Sequence, residues 1–387
     1  MDIAATICKE IETRKDDILD LSRRIHGDPE PAFREFRTSS LLQSVLSAEG
    51  FAVSGVTEAL PTAFRAFFRA GSDHPRVTYT AEMDALPGLG HACGHNIIAA
   101  AATYAAIVLK AVIGREVRGT IKVIGTPAEE KGSGKVRLIQ EGVFGDSDVV
   151  LQIHPHMVDT VIAQAKARRT MTIEYFGKKA HAAAAPQDGI NALDALVLFY
   201  QSAALLRSRL PKGCLLNGII EDGGHAPNVI PDYARGRFSL RADSIRELDG
   251  LFEQVSACAG AAAAATGCRY RVEEPDPAVS TFRRNPVLED LFAGYFEERE
   301  RSNPRKTRDS YGSTDLANVS QIVPTIELLV KASDSPIHTE EFARDASGDG
   351  GDRALLDGIF FLARGGYEVL AQSGLLDRIR QAFLEGE

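Results

Sequence analysis

His91-x-Cys93-x-His95 places two imidazoles and a thiol within one short loop. Zn²⁺ and similar divalent ions take thiolate and imidazole donors readily, so this loop can hold such an ion. Spacing alone does not say which two of the three would bind, and a buried cysteine between two loop histidines has the same pattern. Glu129-Glu130, after Gly125-Thr126-Pro127-Ala128, sets two carboxylates side by side. Adjacent side chains point in different directions, so one can ligate a metal while the other carries a proton. The plainer alternative is a pair of solvated glutamates favoured by a helix start. His154 in Ile153-His154-Pro155-His156 ends an apolar run, with His156 a weaker competitor two residues on. His338 in Pro336-Ile337-His338-Thr339-Glu340-Glu341 is by itself an ordinary loop histidine.

What joins these residues is the elements that must carry them. Val77-Thr78-Tyr79-Thr80-Ala81 leads to Asp84 and then to the His91–His95 loop. Thr120 to Ile124 leads to Glu129-Glu130, Val149 to Ile153 leads to His154, and Thr325 to Val330 precedes His338 by a few residues. Open α/β sheets place ligands outside the carboxyl ends of their strands. If the four runs are neighbouring strands, a Cys, several His and a pair of Glu converge in one crevice, which points to a metal-dependent hydrolase. Pro155 removes a ladder donor and predicts that its strand stops there. The stretch Ile97 to Leu109 is apolar nearly all round, which predicts a helix buried beneath the sheet. It is too short to span a bilayer and is closed by Lys110.

A chain of 387 residues suggests two domains. Its 44% hydrophobic and 25% charged residues are those of a soluble globular protein. The net charge is −9 and no basic run tracks a phosphate backbone, so nucleic acid is a poor partner. An acidic substrate would need local positive groups or metal. Met1 to Asp20 mixes charges with spaced apolar residues and reads as one amphipathic helix rather than a signal peptide. Five scattered cysteines without a C-x-x-C pair argue against a disulfide framework and for a reducing cytoplasm.

One module is inserted in the other. Residues 1–165 and 277–387 read as an α/β catalytic domain, a mixed sheet with helices on both faces. Residues 166–276 read as an α+β insert. Within it, strands at Met171 to Tyr175, Cys214 to Ile220, Tyr233 to Leu240 and Cys268 to Val272 enclose two helices. The first is Ile190 to Leu210; the second opens at a capping box, Ser244-Ile245-Arg246-Glu247, and ends in the alanine run 261–265. The order β-α-β-β-α-β is ferredoxin-like. The insert also carries His181 among small residues, and Asn228 in a loop shaped by two Gly and two Pro.

With these residues in hand, the chain resembles the dinuclear-metal amidohydrolases and peptidases that include aminoacylase, carboxypeptidase G and the auxin-conjugate hydrolases. It looks most like the branch holding aminobenzoyl-glutamate hydrolase and the β-alanyl-lysine type dipeptidases. The matching stretches are Ala81 to Gly88, His91 to Asn96, Gly125 to Glu130, Gly177 to Pro186, Gly189 to Ala195, Pro227 to Pro231, Ser313 to Asp315, Asn318 to Ser320 and His338 to Phe342. The resemblance implies two divalent ions per subunit, Zn, Mn or Co, with ligands at Cys93, His95, Glu130, His154 and His338. It implies Glu129 as general base, Asp84 as a carboxylate that holds a ligand in place, and Asn228 as a substrate contact. His181 matches an insert histidine that in such enzymes reaches the partner's active site, so a homodimer through the insert is implied as well.

The activity implied is hydrolysis of the amide bond of an N-acyl amino acid or small dipeptide-like substrate. Attack on another C–N bond (an amidine, a ureido group, an aryl amine) and a non-catalytic binding protein are the alternatives. Gln187 stands where an aromatic or acidic residue is expected, and Glu327 where close relatives tend to carry histidine. Both departures could alter the substrate pocket without touching the metal site.

Overall fold

Alternating apolar side chains build two separate sheets. The computed structural model describes residues 2–162, 164–301 and 312–386. Among them the strands are β1 (Ala52–Thr57), β2 (Leu60–Glu82), β3 (Gly119–Thr126), β4 (Val149–His156), β5 (Ala167–Phe176), β6 (Leu215–Asp222), β7 (Tyr233–Ala242), β8 (Arg269–Glu273) and β9 (Thr325–Lys331). The chain divides into one unit of Met1–Gln164, Phe282–Asp309 and Asp315–Glu387, and a second of Ala165–Thr281 with Ser310–Thr314. Relative to the expected limits, Pro277 to Thr281 stay with the second unit. So does Gly312, whose carbonyl accepts from Lys166 N at 2.9 Å.

The first unit holds a mixed sheet in which β1 pairs antiparallel with β2, while β4 runs parallel to both β2 and β9. β3 is flanked by the two arms of β2. Along Arg76 to Glu82 the register climbs in step (Arg76 opposite Thr120, Glu82 opposite Thr126), but along Phe64 to Ala70 it runs backwards, from Gly125 to Gly119. The strands therefore bury opposite faces by alternation. Tyr79, Ile121, Val123, Leu151 and Ile153 pack with helices His95–Val112 and Asp349–Ala371, whereas Ile124 and Val150 pack with Leu138, Leu316 and Val319 on the other side. By length and composition the helix His95–Val112 passes as a membrane span, yet every residue from His95 to Leu109 is buried in the core.

Two expectations are corrected. The N-terminal segment is two helices, Ile3–Thr13 and Lys15–Gly27, broken at Arg14, whose guanidinium is drawn to Glu10 and Glu49, each at 2.6 Å. β4 does not stop at Pro155 but continues to His156, opposite Lys331. Among the described residues it pairs beyond Leu151 with β9 alone, so proline sits on the other flank, where a missing donor is tolerated.

The second unit is an antiparallel sheet in the order β6-β7-β5-β8, crossed by helices Ala192–Arg207 and Ile245–Thr266. This is the ferredoxin-like arrangement. Asn191 caps the first helix by accepting from Leu193 N and Asp194 N. Ser244 caps the second by accepting from Glu247 N, and Gly267 ends it in the left-handed region at φ +76°. Leu196, Phe199, Phe238, Leu248 and Val255 fill the core between helices and sheet.

Candidate metal centre

Cys93 and His95 are brought to the end of β4 by a tight helix start. Gly94 lies in the left-handed region at φ +76°, and a Cβ there would sit 2.3 Å from Pro155 Cγ. That close approach leaves Cys93 Sγ 3.5 Å from His154 Nε2. His95 donates from Nδ1 to the Asp84 carbonyl at 2.8 Å, and His154 donates from Nδ1 to the Pro155 carbonyl at 2.8 Å. Both rings thus turn Nε2 toward the cluster, the orientation of a metal-ligating imidazole.

Asp84 also fixes the two glutamates. Its Oδ1 accepts from Glu129 N and its Oδ2 from Glu130 N, each at 3.0 Å. Just upstream, Ala128 takes φ +60°, a strained conformation for alanine. It is held there by the buried Glu35, which accepts from Ala128 N at 3.0 Å and from the Thr62 hydroxyl at 2.9 Å. His338, itself at φ +66°, donates its N–H to the Ala92 carbonyl at 2.8 Å and sets Nε2 3.4 Å from Glu130 Oε1.

Two donor groups result, and they share Cys93. The ligand atoms of Cys93, His95 and His154 lie within 4.8 Å of one another, as do those of Cys93, Glu130 and His338. A third such group joins His95 to Glu129 and Glu130. His91 and His156 are in no such group among the described residues; from the His-x-Cys-x-His loop the structure brings Cys93 and His95 together with the other donors. The buried His91 ring instead lies 6.2 Å from His26, and burial, with His95 and His26 adding to it, pushes its pKa down to about 3.

The donors fit a divalent ion. His95 Nε2, Glu82 Oε2 and Glu130 Oε1 are buried without hydrogen-bond partners, and orphaned polar atoms of this kind are costly. The 3.5 Å between Cys93 Sγ and His154 Nε2 is also the spacing of two donors on one tetrahedral ion. Bonds of about 2.3 and 2.0–2.1 Å put them roughly 3.5 Å apart. Burial pushes the Cys93 thiol and the Glu129 carboxyl well up, the latter aided by the charges of Glu82 and Asp315. Glu130 is also raised by burial, but His338 and His95 outweigh this and bring it down to about 2.

Beneath the cluster lies a charged layer that sequence reasoning missed. Lys135, fully buried, donates from Nζ to Glu82 Oε1 and Asp315 Oδ1, each at 2.6 Å, and from its backbone N to Asp315 Oδ2 at 2.8 Å. Glu82, Glu129 and Asp315 form a further close group of carboxylates, and the Lys135 ammonium is the cation within it. Gln152 donates to Glu82 Oε1 at 2.9 Å and to Glu327 Oε1 at 3.1 Å. Glu327 therefore belongs to this buried layer. Gln187 lies exposed in the 3₁₀ turn Pro186–Asp188.

Glu327 yields a pH prediction. Burial, then the charge of Glu82, push its carboxyl up to about 8, well above the ordinary 4.5. The folded state holds a proton that the unfolded chain releases, so this contribution is whole below about pH 4.5 and fades as pH rises through 8. Glu327→Gln should leave stability nearly unchanged at pH 5 and exceed wild type by several kcal/mol at pH 9, at about 1.4 kcal/mol per unit of elevation. Urea unfolding of the metal-free protein across that range checks it; parallel curves at all pH values would refute it.

In the second unit, His181 is exposed and its Nδ1 accepts from Ala183 N at 3.3 Å and Ala184 N at 3.1 Å. His181 pairs with Val229, and Ala182 N donates to the Asn228 carbonyl at 3.0 Å, so His181 and Asn228 occupy neighbouring turns.

A buried thiol, histidines and adjacent glutamates at the strand ends of an α/β unit that carries a ferredoxin-like insert define a metallohydrolase. Residues 78–358 match the model of peptidase family M20/M25/M40, and the chain belongs to that family. The mouse Xaa-Arg dipeptidase is 36% identical over 94% of this chain and 88% of its own length. One of the subunits of the p-aminobenzoyl-glutamate hydrolase of Escherichia coli is 32% identical over 72% of this chain and 62% of its own. A solved structure of the Bacillus subtilis YxeP protein, described as a dinuclear metal binding peptidase, covers 93% of this chain and 99% of its own at 19% identity, with a TM-score of 0.69. The protein is a metal-dependent dipeptidase or amidohydrolase.

Proposed function

We propose that this enzyme cleaves the amide bond of a dipeptide or N-acyl amino acid with two divalent ions, Zn²⁺, Mn²⁺ or Co²⁺. Cys93, His95 and His154 would hold one, and Cys93, Glu130 and His338 the other. The observation that carries the reading is the pair of donor groups sharing Cys93, with Glu129 beside them. Bound there, divalent ions polarise a carbonyl and make a water nucleophile available at neutral pH. Glu129 takes the proton of the attacking water and returns it to the departing amine. Asp84 keeps Glu129 and Glu130 in place through their backbone N–H groups. Asn228 contacts substrate, and Gln187 modulates the pocket.

The mouse relative's name points to dipeptides ending in arginine, and a net charge of −9 favours a cationic side chain over a free anion. Metal-reconstituted protein should turn over Xaa-Arg dipeptides or N-acyl amino acids, lose activity to a chelator and regain it with Mn²⁺, Zn²⁺ or Co²⁺. Turnover only of amidine, ureido or aryl-amine substrates would move the activity to another C–N bond, and no turnover of any substrate would leave a binding protein. We place the enzyme in the cytoplasm, where a reducing medium keeps the Cys93 thiol available.

The enzyme works as a homodimer through the second unit, with His181 acting on the partner's site. β6 and β8 are the edges of that unit's sheet, and β6 exposes Ile219 and Ile220. Such edges invite pairing with a second copy, and a two-fold contact repeats the same patch on both. Mixing inactive Glu129→Gln with inactive His181→Ala protein should restore part of the activity, because one site of a mixed dimer has both groups. No recovery despite demonstrated subunit exchange would put His181 to work within its own chain or remove it from catalysis.

A further inference from the structure

Residues 30–35, between helices Lys15–Gly27 and Phe36–Ala48, are hydrogen-bonded to the two loops that meet at Glu129. Next to Asp84, Ala85 N donates to the Glu30 carbonyl at 2.8 Å; next to Glu129, Ala128 N donates to Glu35 Oε1 at 3.0 Å. The Glu30 carboxylate is spent locally, accepting from Arg37 N at 3.1 Å and Thr38 N at 2.8 Å at a helix start. Glu35 reaches further. Fully buried, it accepts from Phe33 N at 2.9 Å and Ala128 N through Oε1, and from the Thr62 hydroxyl at 2.9 Å through Oε2. Two of those donors are 27 and 93 residues away in the chain.

Both residues on Oε1 have a backbone that their side chains disfavour. Phe33 stands at φ +63° and Ala128 at φ +60°, in the left-handed region that residues other than glycine rarely adopt. Such conformations persist where the surroundings over-determine them, and they cluster at active sites. Phe33 is fixed a second time through its ring. A Cβ on Gly132 would sit 2.4 Å from Phe33 Cε2, and the Arg137 guanidinium lies 5.6 Å from the ring centroid. Ala128 is held at its carbonyl, which accepts from Gly134 N at 3.1 Å, and at its N–H, which donates to Glu35. The chain passes from Ala128 straight into Glu129, so a rotation about the Ala128 backbone swings the Glu129 carboxylate.

We propose that Glu35 is a positioning residue for Glu129: by holding Ala128 in the left-handed region, it aims the Glu129 carboxylate while Asp84 holds the Glu129 N–H. This rests on the reading of Glu129 as the base. Burial pushes the Glu35 carboxyl up to about 7. What Ala128 and Phe33 need from it is an acceptor oxygen, which a glutamine carbonyl also supplies.

The test uses the full chain, reconstituted with metal and supplied with a dipeptide or N-acyl amino acid that the wild type cleaves. Glu35→Met fills much of the volume without an acceptor. It should keep the wild-type metal content and a KM within about twofold while kcat falls on the order of 10–10²-fold, the cost of displacing a reacting group by about 1 Å. Glu35→Gln should recover most of that loss. Adding Ala128→Gly to Glu35→Met should also return part of it, at least about threefold, because glycine adopts positive φ without support. In a Glu129→Gln background Glu35→Met should slow turnover no further, since both changes act through one carboxylate. Wild-type kcat in Glu35→Met, a Glu35→Gln as slow as Glu35→Met, or full additivity with Glu129→Gln overturns this inference and leaves Glu129 as the base. So does a Glu35→Met that loses metal while its kcat per bound ion is unchanged, the mark of a merely structural role. Wild-type kcat in Glu129→Gln overturns both readings. Should Glu35→Met fail to fold, Glu35→Asp, one methylene short of Ala128 N, is measured in its place with the same expectations.

Discussion

Replacing Glu129 by Gln is expected to leave a folded protein that still takes up its ions but turns over at least about 10²-fold more slowly, the usual worth of a positioned proton carrier. The backbone explains why fold and metal should survive. Glu129 is held by its N–H on Asp84 Oδ1, and that hydrogen bond does not involve the side chain being changed. Its carboxylate is in the groups with His95 and Glu130 and with Glu82 and Asp315, but in neither of those sharing Cys93. Glutamine keeps the shape and removes only the ability to take a proton. Glu130→Gln should behave in the opposite way, losing metal first, because Glu130 shares a donor group with Cys93 and His338. Metal analysis beside kcat on both variants decides. If Glu129→Gln is the one stripped of metal, the roles of the neighbours are exchanged.

The two glutamates were legible in the sequence because they follow a strand, and the same signal marked Cys93, His95, His154 and His338. Strand ends point side chains of chemical type into one crevice, and periodicity finds strand ends. The choice between His91 and His95 was not legible, since it depends on a left-handed Gly94 pressed against Pro155. The end of β4 was misread for a related reason. Whether proline breaks a strand depends on which flank is paired, and pairing is a property of the sheet. The break at Arg14 rests on Glu49, 35 residues away. In the second unit each strand and α-helix was visible in outline, because helical and strand periods there are unmixed and Asn191 and Ser244 mark the helix starts. The buried charged layer left no local trace. Lys135 follows Gly132-Ser133-Gly134, and its partners Glu82 and Asp315 are 53 and 180 residues away in the chain.

That layer sets the largest stability effect expected in this protein. Lys135→Met should destabilise the metal-free chain by about 3–5 kcal/mol, the range for removing one partner from a buried ion pair. Methionine fills much of the same volume, so the loss is electrostatic rather than a cavity. Burial alone would discharge the lysine, yet Asp315 and Glu82 hold its pKa above the ordinary lysine value. Glu82 is pushed up by burial and pulled down to about 2 by Lys135, His95 and His154. Without the ammonium, Glu82 and Asp315 are left as two buried carboxylates with Glu129 close by, and protons or a rearranged chain must neutralise them. The urea midpoint should therefore fall sharply. The fall should shrink when Asp315→Asn is added, since the second change removes the charge that the first left unpaired, so the two effects are less than additive. Equal midpoints for wild type and Lys135→Met would mean that the layer costs as much in desolvation as it returns. Full additivity in the double variant would mean that Lys135 and Asp315 are not coupled, despite the 2.6 Å between Nζ and Oδ1.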